Sequence, residues 1–401
     1  MFLQDLFAIH REVMATVAHK IKRYLFNRIH WKAQSICILG DRGVGKTTLI
    51  CQHLIEEYKT VERALYISAD NIHVNAQGLF KIAQNYFALG GEALFIDEVH
   101  KYQNWSIEIK NIIDTYKKNR VIFSASSSLD LKKSKADLSR RVVYHHLWGL
   151  SFREYISMSR NHFIPVLSLD EILKDHVRLA EELKPLKMLK LFKDYLAHGY
   201  YPFFFEGLRD YISKVNNVIE KVIFEDIAVV FNLKQTTLPI LKKLIWLVAT
   251  TDGLIPNIDT ISSSLGTSRE VVYNCLEHLG QSGLLTNVYP TGEGLKLIRK
   301  PGKIFLNNTN LIYAINGSLR RNSGSGGVRE TFFANQVGMV HKVNTHSNAD
   351  FLVDDSFAFE IGGPNKDHTQ IKNLSKAYLA VDDIEVGFKN KIPLYLFGFL
   401  Y

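Results

Sequence analysis

The stretch QSICILGDRGVGKTTLICQHL constrains the fold more than any other, because it places Gly40, Gly45, Lys46 and Thr47 at the spacing G-x-x-x-x-G-K-T. The apolar residues 36–39 before it are typical of a buried parallel strand, and the residues after it are typical of a helix. Glycines let successive backbone N–H groups turn toward phosphate oxygens, and the following helix points its positive end at them. The pattern therefore predicts a phosphate-binding loop; the alternative is a glycine-rich structural loop.

Each residue type in this loop has an expected chemical role. We expect Lys46 to reach the β- and γ-phosphates of a nucleotide and the Thr47 hydroxyl to hold Mg²⁺. The residues predicted to contact the nucleotide are Gly40, Gly43, Val44, Gly45, Lys46, Thr47 and Thr48. No base-reading motif stands out, so these residues alone leave ATP and GTP open.

A second candidate element is EALFIDEVH, in which four apolar residues precede Asp97 and Glu98. A buried strand that ends in two carboxylates suits a nucleotide site, with Asp97 in the Mg²⁺ shell and Glu98 polarising the attacking water. The alternative is that the two carboxylates only begin a loop. The glycine-rich loop upstream favours the first interpretation.

The remaining strands of the first third predict the fold class. The segment 121–128 is apolar and ends in serines, of which Ser124 or Ser126 could sense the γ-phosphate; the alternative is a flexible serine loop. Two more apolar segments, 64–70 and 141–147, also read as strands. Strands that alternate with helices predict an α/β fold with a parallel, doubly wound sheet, whose ligand lies at the carboxyl ends of the strands.

Four motifs follow one another along the chain: GDRGVGKTTL, FIDEVHKYQNW, FSASSSLDL and DLSRRVVYHHLWGLSFREYI. In these motifs and their order the chain resembles the predicted prokaryotic AAA+ superfamily ATPases that carry a C-terminal winged helix and a PD-(D/E)XK nuclease-like domain. The resemblance implies ATP as the nucleotide, and an arginine finger at Arg140 or Arg141. Arg141 keeps the family's spacing to LSFREY, whereas Arg140 stands where many relatives have glycine. Such an arginine acts across a subunit boundary in a homo-oligomer; the alternative is a basic strand edge that discourages sheet pairing.

The resemblance divides the chain into a P-loop ATPase domain (1–160), a helical connector (161–235), a winged helix (236–310) and a nuclease-like domain (311–401). The order helix, turn at Gly266, helix behind Ser268 and hairpin around TGEG is that of a winged helix-turn-helix. DNA binding is its obvious function, but the candidate recognition helix offers Arg269 without a basic surplus. We therefore favour a role in protein contacts or spacing.

The C-terminal segment contains ADFLVDDSFAFEIGGPNK, in which two strands carry acidic residues. A flexible stretch, NSGSGGVRE (322–330), is expected before these strands, and a helix and a final apolar strand, IPLYLFGFLY, are expected after them. Glu330, Asp350 and Glu360 match the Mg²⁺-binding carboxylates of the nuclease-like fold, which also uses a lysine to activate water. Gly362 stands where that lysine is expected, and only a displaced Lys366 or Lys372 could replace it. A degenerate domain that does not cleave DNA is the favoured interpretation.

Composition narrows the class of protein. The 401 residues are too many for one compact core. Residues 1–160 hold 23 Lys+Arg against 15 Asp+Glu, and the rest 26 against 25, so the excess of positive charge lies in the first part. That excess could attract nucleic acid or phosphates, although scattered lysines more often form a solvated surface. Three distant cysteines, no signal peptide and no long apolar run predict a cytoplasmic protein without a membrane segment.

Three hypotheses follow for the function. The first is an AAA+ ATPase with Mg²⁺ and ATP as cofactors, in which the nucleotide state repositions the winged-helix and nuclease-like domains. The second is a DNA-processing nuclease that ATP regulates. The third is a nucleotide-dependent scaffold that does not hydrolyse. DNA and a second copy of the chain are the macromolecular partners under consideration.

Overall fold

The computed structural model describes residues 2–17, 21–126, 138, 140–292 and 301–401. The chain forms two compact units, Met1–Gly149 and Leu150–Tyr401. The division falls after Gly149, whereas the sequence placed it after residue 160. The difference arises because the buried side chains Phe152, Tyr155 and Ile156 belong to the hydrophobic core of the second unit.

The first unit alternates strands with helices. In chain order its described elements are α1 (Phe2–Thr16), β1 (Ser35–Gly40), α2 (Lys46–Glu57), β2 (Ala64–Ser68), α3 (Ile72–Gln77), α4 (Leu79–Ala88), β3 (Ala93–Asp97), a 3₁₀ turn (Val99–Lys101), α5 (Trp105–Thr115), β4 (Arg120–Ser126) and β5 (Val143–His146).

The strands of this unit form one parallel sheet in the order β2-β3-β4-β1-β5. The sheet confirms the predicted α/β fold of a P-loop NTPase. Strand β4 lies between β1 and β3, so that Gly40 is paired with Ser126 and Ile96 with Phe123. The carboxyl ends of β1, β4 and β3 therefore meet at one edge, and this edge carries the glycine-rich loop, Ser126 and Asp97.

Both faces of the sheet are covered, as a doubly wound fold requires. Along β1, Cys37 and Leu39 join one hydrophobic cluster and Ile36 and Ile38 join the other. The alternation follows from the two-residue period of a strand. Helix α2 packs in the second cluster, whereas α4 and α5 pack in the first.

The second unit begins with helices and ends with a sheet. Its described elements are α6 (Phe152–Arg160), α7 (Leu169–Leu183), a 3₁₀ turn (Lys184–Leu186), α8 (Met188–His198), a 3₁₀ helix (Pro202–Glu206), α9 (Tyr211–Lys221), a π-helical segment (Val222–Ile227), α10 (Ala228–Val230), α11 (Leu238–Ala249), α12 (Ile258–Leu265), α13 (Arg269–Gln281), β6 (Leu285–Val288), β7 (Lys303–Leu306), α14 (Thr309–Ser318), α15 (Ser325–Gly338), β8 (Val343–Asn344), β9 (Phe351–Val353), β10 (Phe357–Gly362), β11 (Ala377–Val381), β12 (Lys391–Pro393) and a 3₁₀ helix (Leu394–Phe399).

The middle of this unit has the element order that the sequence predicted for a winged helix. Gly266 ends α12 at φ +63°, and the Ser268 hydroxyl accepts a hydrogen bond from the backbone N–H of Val271 at the start of α13. Strands β6 and β7 pair antiparallel. The hairpin predicted around TGEG (291–294) lies partly outside the described residues, which end at 292 and resume at 301, and the winged-helix assignment stays a prediction.

The C-terminal sheet has the order β12-β11-β10-β9-β8, with parallel pairs among β10, β11 and β12 and antiparallel pairs among β8, β9 and β10. Two predictions for this region were wrong. The predicted helix after β10 is replaced by turns over residues 363–376, where Pro364 and few apolar residues disfavour a helix. The predicted final strand is instead the three-residue edge strand β12 and a buried 3₁₀ helix, Leu394–Phe399.

The glycine-rich stretch 322–330 also differs from expectation, because α15 begins inside it at Ser325. The backbone N–H of Gly327 donates a 3.0 Å hydrogen bond to the Asp252 carboxylate. A Cβ atom at Gly327 would lie 2.5 Å from that carboxylate oxygen. Glycine here permits a close approach of the carboxylate, which stabilises the positive end of the helix rather than creating a flexible linker.

Candidate nucleotide-binding site

The loop between β1 and α2 depends on glycine at three positions, for two reasons. Gly43 and Gly45 have φ angles of +84° and +96°, which residues with a Cβ adopt only with strain. Gly40 instead allows a close approach, because a Cβ there would lie 2.4 Å from the backbone oxygen of Leu147. Val44, between the two left-handed glycines, is fully buried and anchors the loop. The path of the loop thus depends on these three glycines and on the buried Val44.

Lys46 is the first residue of α2, and its side chain folds back over the loop. Its Nζ donates hydrogen bonds to the backbone oxygens of Gly40, at 2.8 Å, and Asp41, at 2.9 Å. The Lys46 ammonium therefore lies beside the first residues of the glycine-rich loop. Thr48, the second threonine, is exposed on the next helical position.

Thr47 and Asp97 meet directly, although they are 50 residues apart in the chain. The Thr47 hydroxyl donates a 2.5 Å hydrogen bond to Asp97 Oδ2. The same carboxylate oxygen accepts a 3.1 Å bond from the Tyr66 hydroxyl, and Oδ1 accepts one from Ser124. Burial and the neighbouring Asp97 raise the pKa of Tyr66, which keeps its phenol protonated and donating. The arrangement thus brings one hydroxyl and one carboxylate into direct contact.

Glu98 follows Asp97 in an unusual backbone conformation, with φ +50°. Its backbone N–H donates a 3.0 Å hydrogen bond to Ser124 Oγ, and its carboxylate forms a 2.5 Å ion pair with Lys101. Lys101 also contacts Asp70, at 3.0 Å. Burial raises the pKa of Glu98, but Lys101, with smaller contributions from His100 and Lys46, outweighs burial and holds that pKa below its ordinary value. Glu98 is therefore an ionised carboxylate at neutral pH.

The two serines at the end of β4 lie in different environments. Ser124 is fully buried, and its hydroxyl links Asp97 to the backbone of Glu98. Ser126 lies opposite Gly40 at the ligand edge of the sheet. Its backbone N–H donates to Nδ1 of His100 at 3.3 Å, and burial lowers the pKa of His100 to about 4. Of the two, Ser126 has the position expected of a residue that senses phosphate.

Arg141 lies in an ion pair within its own chain. Its Nε and Nη2 donate to the two carboxylate oxygens of Asp114, at 2.6 and 3.0 Å. Asp114 belongs to the last turn of α5, and α5 leads into the start of β4. Asp114 therefore lies near the amino ends of the strands, on the side of the sheet away from the glycine-rich loop. Arg140 is exposed. The structure thus does not place Arg141 at the loop of its own chain.

The three C-terminal acidic candidates approach one another in the second unit. The Lys303 ammonium, from β7, lies 2.8 Å from a carboxylate oxygen of Glu330 and 2.8 Å from one of Asp350. Asp350 also accepts a 2.9 Å hydrogen bond from the backbone N–H of Ile361, next to Glu360. Burial and the neighbouring Asp350 raise the pKa of Glu330, and burial raises that of Glu360.

The side chain of Lys366 packs over Gly362, the residue that stands where the nuclease-like fold has its lysine. A Cβ at Gly362 would lie 2.7 to 2.9 Å from the stem carbons of Lys366. The Lys366 ammonium forms a 2.6 Å ion pair with Glu360. Lys372 is exposed. Among the residues that the structure describes, no group of three or more His, Cys, Asp or Glu side chains has the arrangement of a metal site.

Three contributors to the first site could not be found from the sequence. Tyr66 contacts Asp97 only because β2 pairs with β3 in a particular register. Asp70, from the loop after β2, forms an ion pair with Lys101, which in turn pairs with Glu98. Arg23 donates to the backbone oxygen of Val44 from 21 residues upstream. Each contact depends on chain segments that no local motif connects.

Comparison with known families supports a nucleotide-binding fold in the first part of the chain. Residues 32–156 match the AAA domain, and residues 189–322 match a domain of unknown function, DUF8612. The AAA match includes the glycine-rich loop, Asp97 and Glu98. It supports nucleotide binding, because these are the parts of such a domain that meet at the site.

Individual relatives add little about activity. The uncharacterized protein MJ1637 of Methanocaldococcus jannaschii is 28% identical over 299 residues, which are 71% of this chain and 62% of that protein. The match thus spans less than two thirds of the relative's length. AMPPCP-bound DnaA from Aquifex aeolicus is 15% identical, with a TM-score of 0.28 over 69% of this chain and 88% of that one. Hsp104 is 16% identical, with a TM-score of 0.28 over 40% of this chain and 34% of that one. Scores this low carry no argument about function.

Helices able to span a bilayer are absent from the part of the chain that the structure describes, since each is too short or too polar.

Proposed function

We propose that the first unit binds ATP with Mg²⁺ and hydrolyses it. The observation that carries the proposal is the contact between Thr47 and Asp97, beside the loop that holds Lys46. A hydroxyl and a carboxylate are hard oxygen ligands of the kind that Mg²⁺ takes in nucleotide sites. The donor set therefore fits the metal, and the loop fits the phosphates.

The proposed roles follow from position and charge. The backbone N–H groups of residues 43–48 and the Lys46 ammonium bind phosphate oxygens, and Thr47 and Asp97 hold Mg²⁺, which neutralises the charge that develops on them. Glu98 is already ionised and is the candidate to orient and deprotonate the attacking water. Ser126 contacts the terminal phosphate from the neighbouring strand. ATP rather than GTP rests on the family resemblance.

The proposal is tested by Mg²⁺-dependent ATP turnover of the full chain. We expect Lys46→Ala to abolish binding and turnover. Glu98→Gln should keep ATP binding and lower turnover by about 100- to 10,000-fold, the usual contribution of a general base. Lys81→Ala, an exposed lysine on α4, is the matched control and should behave as the wild type. Wild-type protein that binds ATP without turnover at every concentration would leave only a nucleotide-dependent scaffold.

We further propose that the site is completed in a homo-oligomer and that the nucleotide state repositions the second unit. Arg141 supports this, because its ion pair with Asp114 holds it near the far edge of its own sheet, where it could face a neighbouring subunit. ATPase rate per subunit, measured against protein concentration, should rise and then saturate. The rise should disappear in Arg141→Ala but not in Arg160→Ala, in which the arginine of another segment is removed. A rate per subunit that does not change with concentration contradicts assembly.

A DNA-cleaving activity is the second candidate, since Glu330, Asp350 and Glu360 approach one another. The positions of Lys303 and Lys366 argue against it, because their ammonium groups form ion pairs with the carboxylates that would hold Mg²⁺. We therefore propose a nuclease-like domain that does not cleave. Plasmid incubated with the protein and Mg²⁺ or Mn²⁺ should stay intact. Cleavage that disappears in both Asp350→Ala and Glu360→Ala would establish the nuclease instead.

A further inference from the structure

Arg23 is a buried arginine that the proposed hydrolysis does not use directly. It belongs to the segment between α1 and β1 and is only 5% exposed. Its Nη1 donates a 2.5 Å hydrogen bond to the backbone oxygen of Val44. Its Nη2 donates to the backbone oxygens of Trp148, at 2.7 Å, and Gly149, at 2.9 Å. One guanidinium thus joins the phosphate loop to the last residues of the first unit.

The bond to Val44 controls the direction of a peptide group in the loop. In a trans peptide the C=O and the following N–H point in opposite directions. Since Arg23 holds the Val44 oxygen, the N–H of Gly45 is directed away from Arg23. Gly45, at φ +96°, is one of the residues whose N–H is expected on phosphate. If this peptide turned over, a carbonyl oxygen would replace that donor and repel an anion.

The other two bonds connect the loop to the end of the first unit. Residue 150 begins the second unit, directly after Gly149. The same segment is held by Tyr24, whose hydroxyl donates to the backbone oxygen of His146 at 3.0 Å and accepts from the backbone N–H of Trp148 at 3.3 Å. The Leu147 oxygen also fills the space beside Gly40. Residues 146–149 therefore pack against both the loop and its buried arginine.

Charge explains why an arginine suits this position. A guanidinium stays protonated when buried and presents a planar fork of donors, so it can hold several carbonyl oxygens at once. Its charge also lies beside a loop that is expected to receive a triphosphate, and attraction between charges is stronger where water is excluded. A lysine would supply the charge but could not reproduce the fork.

We propose that Arg23 is a positioning residue that presets the phosphate loop and transmits its occupancy to the junction at residues 146–149. The inference rests on the proposed nucleotide binding and adds to it a route by which bound phosphate reaches the chain that leads into the second unit. Phosphate that binds the Gly45 N–H shifts the Val44–Gly45 peptide group. Because the Arg23 guanidinium bonds to the Val44 oxygen, this shift also affects its hydrogen bonds to the backbone oxygens of Trp148 and Gly149.

The test compares Arg23→Met and Arg23→Lys with Lys32→Met in the full chain. Lys32 is exposed on the segment between Arg23 and β1 and serves as the control. The measurements are the Kd of MgATP, the kcat and KM of hydrolysis, the thermal stability without nucleotide, and hydrogen exchange of residues 146–149 with and without MgATP. We expect both Arg23 variants to raise Kd and KM by about tenfold, which is ~1.4 kcal/mol, with a much smaller change in kcat.

Nucleotide should slow hydrogen exchange of residues 146–149 in the wild type and in Lys32→Met, but not in the Arg23 variants. A folded Arg23 variant with wild-type Kd overturns the positioning role, and one that keeps the nucleotide-dependent exchange overturns the coupling. If both variants are unfolded without nucleotide, Arg23 serves folding and the proposal fails. Wild-type protein that does not bind MgATP refutes the proposed function itself, which separates that failure from failure of this inference.

Discussion

The hydroxyl of Thr47 lies 2.5 Å from a carboxylate oxygen of Asp97, and this bond joins the first turn of α2 to the end of β3. The bond brings together two candidate Mg²⁺ ligands from distant parts of the chain. In the proposed complex, the Thr47 oxygen would contact Mg²⁺ beside the Asp97 carboxylate. We therefore expect Mg²⁺ binding and the geometry of the loop to be coupled through Thr47.

Replacing the Thr47 hydroxyl should separate metal binding from phosphate binding. Thr47→Val keeps the branched shape but removes the oxygen, so we expect ATP binding in EDTA to be near that of the wild type. The Mg²⁺ concentration needed for half-maximal turnover should rise by about tenfold, the effect of ~1.4 kcal/mol. Titration of ATPase rate with Mg²⁺ measures this. Thr260→Val, at an exposed threonine of α12, is the control, and an unchanged Mg²⁺ requirement in Thr47→Val would exclude Thr47 as a ligand.

Removing Lys101 should change the pH dependence of turnover. The ion pair with Lys101 lowers the pKa of Glu98 against the opposing effect of burial. A lowered pKa keeps Glu98 ionised to lower pH, so the wild-type rate should persist below the usual range of a glutamate. In Lys101→Met only the smaller effects of His100 and Lys46 oppose burial, and the acidic limb of the profile of kcat against pH should move to higher pH. Lys81→Met should leave the profile in place, and an identical profile in Lys101→Met would mean that Glu98 is not the base.

Removing Lys303 should destabilise the second unit. Lys303, Glu330 and Asp350 are each less than 20% exposed in their side chains. Loss of the ammonium leaves two partly buried carboxylates side by side, and we expect Lys303→Met to lower the free energy of unfolding by about 2–4 kcal/mol. Urea denaturation measures it. The matched control is Lys342→Met, which removes an ion pair with Asp355 that is well exposed and is expected to cost less than about 1 kcal/mol. Equal effects would show that the Lys303 cluster is not important for stability.

Acidification should destabilise the first unit through His10. Its Nδ1 accepts a 3.0 Å hydrogen bond from the backbone N–H of Tyr66, and burial, with the charge of Arg11, lowers the pKa of His10 to about 4. The unfolded chain binds the proton near pH 6.5, whereas the folded one resists it, so this stability is complete above pH 6.5 and is lost as pH falls to 4. We expect a loss of about 2–3 kcal/mol over that range.

The matched variant for this effect is His10→Asn, whose side-chain oxygen can accept the same bond without titrating. Chemical denaturation at several pH values between 4 and 7 should show a smaller slope for this variant. His30→Asn removes an exposed histidine and should keep the wild-type slope. If the slope is the same in all three proteins, His10 is not the source of the pH dependence.

The sequence predicted the first unit well because its signals are local. Glycine spacing, short apolar strands and the residues that end them all lie within one βα segment, and parallel strands bring their ends to one edge. Even so, the order of the strands relied on chain-distant pairing such as Gly40 with Ser126. Arg23 and Tyr66 were not predicted as part of the site, because their contacts cross 21 and 31 residues of chain.

The second unit was harder to predict, since its features depend on long-range contacts. The glycines of 322–330 resemble a linker in the sequence. In the structure the Asp252 carboxylate, from a distant part of the chain, accepts a hydrogen bond from Gly327 at the start of α15. The segment after β10 was expected to be helical, but Pro364 and its polar neighbours form turns. The absence of a lysine at residue 362 was visible in the sequence, and Lys366 was a candidate to replace it. The ammonium of Lys303 between Glu330 and Asp350 was not predicted.

The position of β4 between β1 and β3 sets the width of the candidate site. Neighbouring strands are about 4.8 Å apart, so the loop strand and the acidic strand are separated by about 10 Å whatever side chains they carry. The end of β4 therefore lies between the glycine-rich loop and the acidic end of β3, and it carries the small residues Ser124 and Ser126. We therefore expect a larger side chain at residue 126, which is buried opposite Gly40, to fill part of the space between the glycine-rich loop and Asp97.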